Sequence, residues 1–293
     1  MDPTLRAILT SWDWRLDVIT VLLTFGTLYT IGWQRLRRKQ AKLATNWRIA
    51  AYYAGLLSLV IALMSGIDTF QTQLFFIHMT QHIVLVMIAP PLLLIANPMP
   101  FLLWAIPRQE RQLIAGFLTQ KSRFRRMFVK LTAPGLVWLF YAINLWLWHD
   151  PNPYNEAIVN DTLHDIEHLT FFLTGMALWW HITNAAPYFH GRRTYAMRIA
   201  LVIATYFQNL LIGVGITMSG TLIYTYYAGV PRVWGIDPIR DQTIGGLIMW
   251  IPGGMMYLMA LLGLIALAVQ ESERRARLAD SQRRLKFEGV PSA

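Results

Sequence analysis

The chain is 293 residues long and 55% apolar, with a mean hydropathy of +0.38, and its apolar residues fall in runs long enough to cross a bilayer, so it reads as an all-α, polytopic membrane protein. It contains no cysteine, which excludes disulfides and thiolate metal sites and leaves methionine as the one soft ligand type. The net charge of +10 comes from short basic clusters beside apolar runs, a pattern of membrane topology and not of nucleic-acid binding.

Seven spans are predicted in chain order, about 16–33, 48–66, 74–96, 131–149, 164–183, 197–218 and 245–269, each close to the length a hydrocarbon core requires. Together they make a transmembrane domain over residues 1–270, followed by a basic cytoplasmic tail, 271–293. The first run follows the acidic, aromatic segment Ser11 to Asp17 without a basic n-region, and it is expected to be a retained span and not a signal peptide. Lys and Arg alternate sharply between connections: 22 of the 26 fall in the first, third and fifth connections and the tail, and only Arg6, Arg15, Arg232 and Arg240 fall on the other side. The positive-inside rule therefore puts the N-terminus outside and the C-terminus in the cytoplasm. Residues 107–118 mix Arg108, Glu110 and Arg111 with Leu113, Ile114, Phe117 and Leu118, which predicts an interfacial helix. Trp33, Trp47, Trp146 and Trp148 near span ends are expected in an aromatic belt. Pro90-Pro91 in the third span and Pro252 in the seventh predict broken helices.

In this topology five of the seven histidines lie at the outer side. His78 and His82 open the third span, His149 closes the fourth, and His164 and His168 open the fifth, while His181 and His190 lie inside. Residues four apart share a helix face, so each pair can aim two imidazoles at one ion. Ionisable groups are costly in lipid and usually functional there, and two such pairs on separate helices at one depth point to a metal site. Imidazole suits zinc, copper, iron or nickel, and Met79 beside His78 would shift the preference toward Cu(I). Met249, Met255, Met256 and Met259 are more readily core filler. Asp165 and Glu167, which interrupt the second pair, and Asp161 and Asp241 nearby are candidates to orient imidazoles from outside the ligand shell. Because the ligand is neutral imidazole, binding is expected to weaken as pH falls through about 6.5.

No enzyme is expected. His164 to His168 matches the inverted zinc-protease pattern, but the first pair has Gln81 where a carboxylate would stand, and no HExxH occurs. A bis-histidine haem between the two helices is an alternative from a different class.

The blocks FFIHMTQHIVLVMIAPPLLLIANP, WHDPNPYNEAIVNDTLHDIEHLTFF and DQTIGGLIMWIPGG are similar to the bacterial CtaG family of multi-span assembly factors for caa-type cytochrome c oxidase, over residues 48 to 270. That resemblance implies a cell-membrane protein whose partner is the catalytic subunit of a haem–copper oxidase and whose ligand is a copper ion, delivered from the outer face. The family's histidine motifs fall on His78, His82, His164 and His168, and the metal-binding role is extended here to His149 and Met79. A haem-binding redox protein and a metal-free scaffold are the alternatives.

Overall fold

A computed structural model describes residues 3–231 and 233–288 and is helical throughout, with no strand among the described residues. Arg232, counted above on the outer side, and residues 289–293 of the basic tail lie outside the described residues. A short α1 (Pro3–Thr10) leads into α2 (Leu16–Lys39) and α3 (Asn46–Met64), with α4 (Gly66–Phe70) closing the second connection. The third apolar run gives α5 (Phe75–Ile83), a π-turn (Val84–Ile88) and α6 (Ala89–Ile95). Then come α7 (Pro98–Ala105), α8 (Arg108–Phe117), α9 (Arg123–Leu131), α10 (Pro134–His149), α11 (Pro151–Val159), α12 (Asp161–Thr183), α13 (Tyr195–Met218), α14 (Pro238–Trp250) and α15 (Pro252–Glu288).

Five of these helical runs are long and apolar enough to cross a membrane: α2, Asn46–Phe70, Phe75–Ile95, α13, and α14 with α15. A sixth is possible by the same test if α9 and α10, bent by 56° at the break between them, form one span. The sequence of α12 fails the test because its 23 residues carry Asp161, His164, Asp165, Glu167, His168 and His181, which dilute its apolarity. The mixed basic and apolar segment forms a helix, α8, with no buried residue, and Arg111 lies over the Trp104 ring at 4.6 Å. Helix α7 was not anticipated; its eight residues reach about 12 Å, too short to cross, and it packs on α2. Trp148 departs from the aromatic belt: it is 5% exposed, and its indole donates to Thr170 Oγ1 at 2.9 Å, which ties α10 to α12.

Both proline breaks are held by a donor from another helix. Pro90 and Pro91 have no N–H to give, so carbonyls one turn earlier lose their helical partners. The chain relaxes into the π-turn, and Trp179 Nε1 on α12 donates to the Val86 carbonyl at 2.8 Å. At Pro252 the helix breaks between α14 and α15, and Asn209 Nδ2 on α13 donates to the Met249 carbonyl at 2.8 Å. Close crossings are reserved for glycine. A Cβ on Gly245 would stand 2.3 Å from the Phe75 ring, and one on Gly246 would stand 2.8 Å from the backbone nitrogen of Thr217, so α14 can lie against α5 and α13 at once.

These contacts settle where the two histidine-bearing helices sit. Helix α12 packs against α6, the π-turn and α10, while α14 packs against α5. The histidine-bearing N-terminal parts of α5 and α12 face each other, and α11 packs on α12.

Candidate metal centre

The helices that carry the paired histidines, α5 and α12, and α11 beside them are each held at their start by a side-chain acceptor. Asp241, 1% exposed in the first turn of α14, accepts from the backbone N–H groups of Phe75 and Phe76 at 2.9 and 3.0 Å. It therefore caps α5 from 166 residues away and sets the depth of His78 and His82. Helix α11 begins with Asp150, whose carboxylate accepts from Asn152 N–H, followed by Pro151 in the first helical turn. Helix α12 begins with Asn160, whose side chain accepts from Leu163 N–H.

His78, His82, His164 and His168 converge in a buried cluster, with exposures of 0%, 6%, 9% and 4%. Ring centroids are 4.3 Å apart for His78 and His82, 3.9 Å for His164 and His168, and 5.4 to 6.0 Å for the contacts His78–His164, His78–His168 and His82–His168. Glu167 is fully buried among them. Its Oε2 lies 3.8 Å from His78 Nε2 and its Oε1 lies 3.4 Å from His82 Nε2. Two overlapping sets of three donors result, His78 with His82 and His168, and His78 with His164 and Glu167, with all ligand atoms of a set within 4.8 Å of one another. Donors about 2.0–2.1 Å from one ion lie at most about 4.2 Å apart, so sub-ångström shifts would close either set.

The buried polar atoms supply a second test of fit. His78 Nε2, both ring nitrogens of His82 and of His168, His164 Nε2 and both Glu167 oxygens have no hydrogen-bond partner among the described residues. Orphaned buried polar atoms cost about 1–3 kcal/mol each, and eight in one place suit a cation and not a packed core.

One side chain that the sequence did not flag organises the centre. Tyr154 on α11, fully buried, lies 2.7 Å from His78 Nδ1 and 2.9 Å from the hydroxyl of Tyr227, which donates to the Gln71 carbonyl at 2.8 Å. A carbonyl can only accept, so Tyr227 uses its proton there. Tyr154 must then donate to Tyr227, and His78 Nδ1–H donates to Tyr154. His78 thus keeps its lone pair on Nε2, the atom facing Glu167. Such an outer partner fixes the ring and strengthens the ligand. Tyr154→Phe is expected to fold and to weaken metal binding about tenfold, measured by competition with a metal chelator.

The remaining predicted residues have other settings. His149 is half-buried, with its ring 6.3 Å from that of His82 and its Nδ1–H donating to the Leu145 carbonyl at 2.7 Å. It stands at the edge of the cluster and outside both donor sets. Met79 is buried and borders a cavity of about 30 Å³ that it shares with His82, His149, Met87 and Met249. Asp165 turns away from the histidines and binds Arg15 with both oxygens, at 2.6 and 3.0 Å. These contacts, with Asp17 beside them, raise the Arg15 pKa and keep the guanidinium charged where α2 begins. Asp161 is exposed in the first turn of α12. Gln81 does not mirror Glu167: it donates to the Ala62 carbonyl and to Asp68 Oδ1 at 2.8 and 2.7 Å, on the side of α3 and α4. An Asp-Pro pair before the apolar tyrosine segment could have announced α11, but no local signal pairs Tyr154 with His78.

Comparison with known proteins adds a family and several relatives. Residues 27–271 match the family model described as cytochrome c oxidase caa3 assembly factor. Two proteins described as uncharacterised, from Mycobacterium bovis and Mycobacterium tuberculosis, are each 25% identical over 96% of this chain and 42% of their own length. A third, from Mycobacterium leprae, is 26% identical over 92% of this chain and 42% of its own. The chain thus spans about two fifths of the length of the curated relatives it matches. No solved structure matches.

Proposed function

The chain belongs to the family of cytochrome c oxidase caa3 assembly factors, and from that premise we propose that it binds copper in the buried histidine cluster and passes it to the oxidase. As a family member it is an assembly factor with several membrane-spanning helices, and an oxidase and lipid are its partners. Copper is its cargo, held by His78, His82, His164 and His168 with Glu167, while His149 and Met79 border the site. The observation that carries this reading is the pair of overlapping three-donor sets built from orphaned buried atoms.

The membrane arrangement has seven crossings, with α9 and α10 as one and α12 as another. Helix α12 is about 35 Å long, and Ile166, Leu169 and Leu173 form an exposed apolar face suited to lipid, opposite its histidines. With the basic connections in the cytoplasm the cluster lies at the outer face of the bacterial plasma membrane. Residues 271–293 then form the cytoplasmic tail.

Transfer proceeds by ligand exchange. His78 belongs to both donor sets, so an ion can exchange His82 and His168 for His164 and Glu167 without leaving the centre. A docked oxidase subunit replaces the protein's ligands one at a time, and no electron needs to move. Cells whose own copy is deleted provide the test: wild type is expected to restore copper in the oxidase, and a His164→Ala, His168→Ala double variant present at normal level is expected not to. Full restoration by the double variant would instead identify a metal-free scaffold.

A further inference from the structure

At the end of the bundle opposite the histidines, the seam between α13 and α15 opens into a pocket of about 460 Å³. Five arginines line it, Arg192, Arg193 and Arg198 on or before the first turns of α13 and Arg274 and Arg275 on α15, against one lining carboxylate, Glu271. Glu271 is engaged by Arg274 and Arg275 at 3.2 and 2.9 Å, so it orders these side chains while leaving a large positive excess. Arg198 is 7% exposed, anchored by its Nε on the Ile182 carbonyl at 2.6 Å. Arg193 Nε is buried without a hydrogen-bond partner among the described residues. Thr194 and Tyr195 also line the pocket, so the positive end of the α13 dipole opens into it. Clustered guanidinium groups at a helix N-terminus are suited to a phosphate.

The same seam continues, about one turn along α13 and two along α15, into an apolar groove of about 320 Å³ lined by Ile203, Tyr206, Met255, Leu258 and Leu261 among others. Beside this groove Met255, Leu258, Met259, Leu262, Ile265 and Val269 form an exposed apolar stripe on α15, and Glu271 and Arg274 follow within two turns. The basic pocket therefore lies where hydrocarbon gives way to headgroups. A free phosphate would need the pocket alone; a pocket followed by an apolar groove in that order matches a molecule with an anionic head and a hydrocarbon tail.

We propose that the α13–α15 seam is a binding site for an anionic phospholipid, with its phosphate among Arg192, Arg193, Arg198, Arg274 and Arg275 and an acyl chain along Ile203, Tyr206 and Leu258. The site is separate from the metal centre, since residues 164 and 181 of α12 alone are about 26 Å apart. Basic pockets between membrane helices are well suited to such headgroups.

The test uses the purified, delipidated full chain in detergent and its thermal unfolding temperature. Phosphatidylglycerol is expected to raise that temperature by several degrees, phosphatidylcholine by less than half as much, and inorganic phosphate only slightly. In an Arg193→Gln, Arg275→Gln variant the lipid concentration for half the effect is expected to rise roughly 25-fold, about fivefold per arginine. An Arg277→Gln variant, outside the pocket, should match wild type. Ile203→Trp fills the groove and is expected to weaken the response to phosphatidylglycerol while leaving that to inorganic phosphate unchanged. Equal responses to the two lipids would overturn the proposal, as would arginine variants that respond like wild type. A full response to inorganic phosphate with no effect of Ile203→Trp would assign the pocket to free phosphate and overturn the lipid. If the arginine variant does not fold, the comparison of lipids on wild type and the Ile203→Trp response decide.

Discussion

Alanine in place of His78 is expected to lower the copper affinity of the purified chain by at least about 100-fold, beyond the 10- to 100-fold that loss of an outer partner costs. His78 is shared by both donor sets, and its Nε2 is the lone pair that the Tyr154 hydrogen bond leaves available. His82→Ala and His164→Ala each dismantle one set and leave the other, so each is expected to cost less than His78→Ala. Competition with a copper chelator of known affinity measures all three. His181→Ala is the control: that ring donates from Nε2 to the Thr132 carbonyl at 2.9 Å, at the far end of α12, and copper affinity should not change.

The second large effect is expected at Asp241. In Asp241→Ala the Phe75 and Phe76 amides lose a charged acceptor in a buried setting, at a cost of about 3 kcal/mol. The loss reads as a lower thermal unfolding temperature, and copper affinity should fall with it, because α5 loses the contact that sets the height of His78 and His82. Asp241→Asn retains one acceptor oxygen and should lie between alanine and wild type. Asp237→Ala, which removes the exposed cap at the start of α14, is expected to cost about 1 kcal/mol and to leave copper affinity alone. If Asp237→Ala proved the more damaging, α5 would not depend on the buried cap.

Much of this could be read from residue pattern alone. Apolar runs located α3, α5 to α6 and α13 to within a few residues, and the start of α2, whose helix runs on through the basic cluster to Lys39, because hydrophobic length is a local property. The i, i+4 spacing placed His78 beside His82 and His164 beside His168, since helix geometry makes such residues neighbours. Pro90-Pro91 announced a break, although not the π-turn before it or the Trp179 donor. What could not be read is the partner across the bundle. Asp165 and Glu167 are two residues apart, and on a helix they face different ways: Asp165 meets Arg15, and Glu167 meets the imidazoles. Gln81 and Glu167 occupy matching places in two similar motifs, but α5 turns Gln81 toward α3 and α4. Asp241 reads from the sequence as a candidate to orient an imidazole, whereas in the fold its carboxylate accepts from the first amides of α5. Tyr154 and His78 are 76 residues apart, with no shared period to connect them.

Copper K-edge X-ray absorption of the copper-loaded full chain tests the central claim most directly. Imidazole coordination by the cluster gives a first shell dominated by nitrogen at about 2.0 Å with the multiple scattering of histidine rings, and this signal should be lost in His78→Ala. A shell dominated by sulfur at about 2.3 Å, or a purified chain that retains no copper, would contradict it.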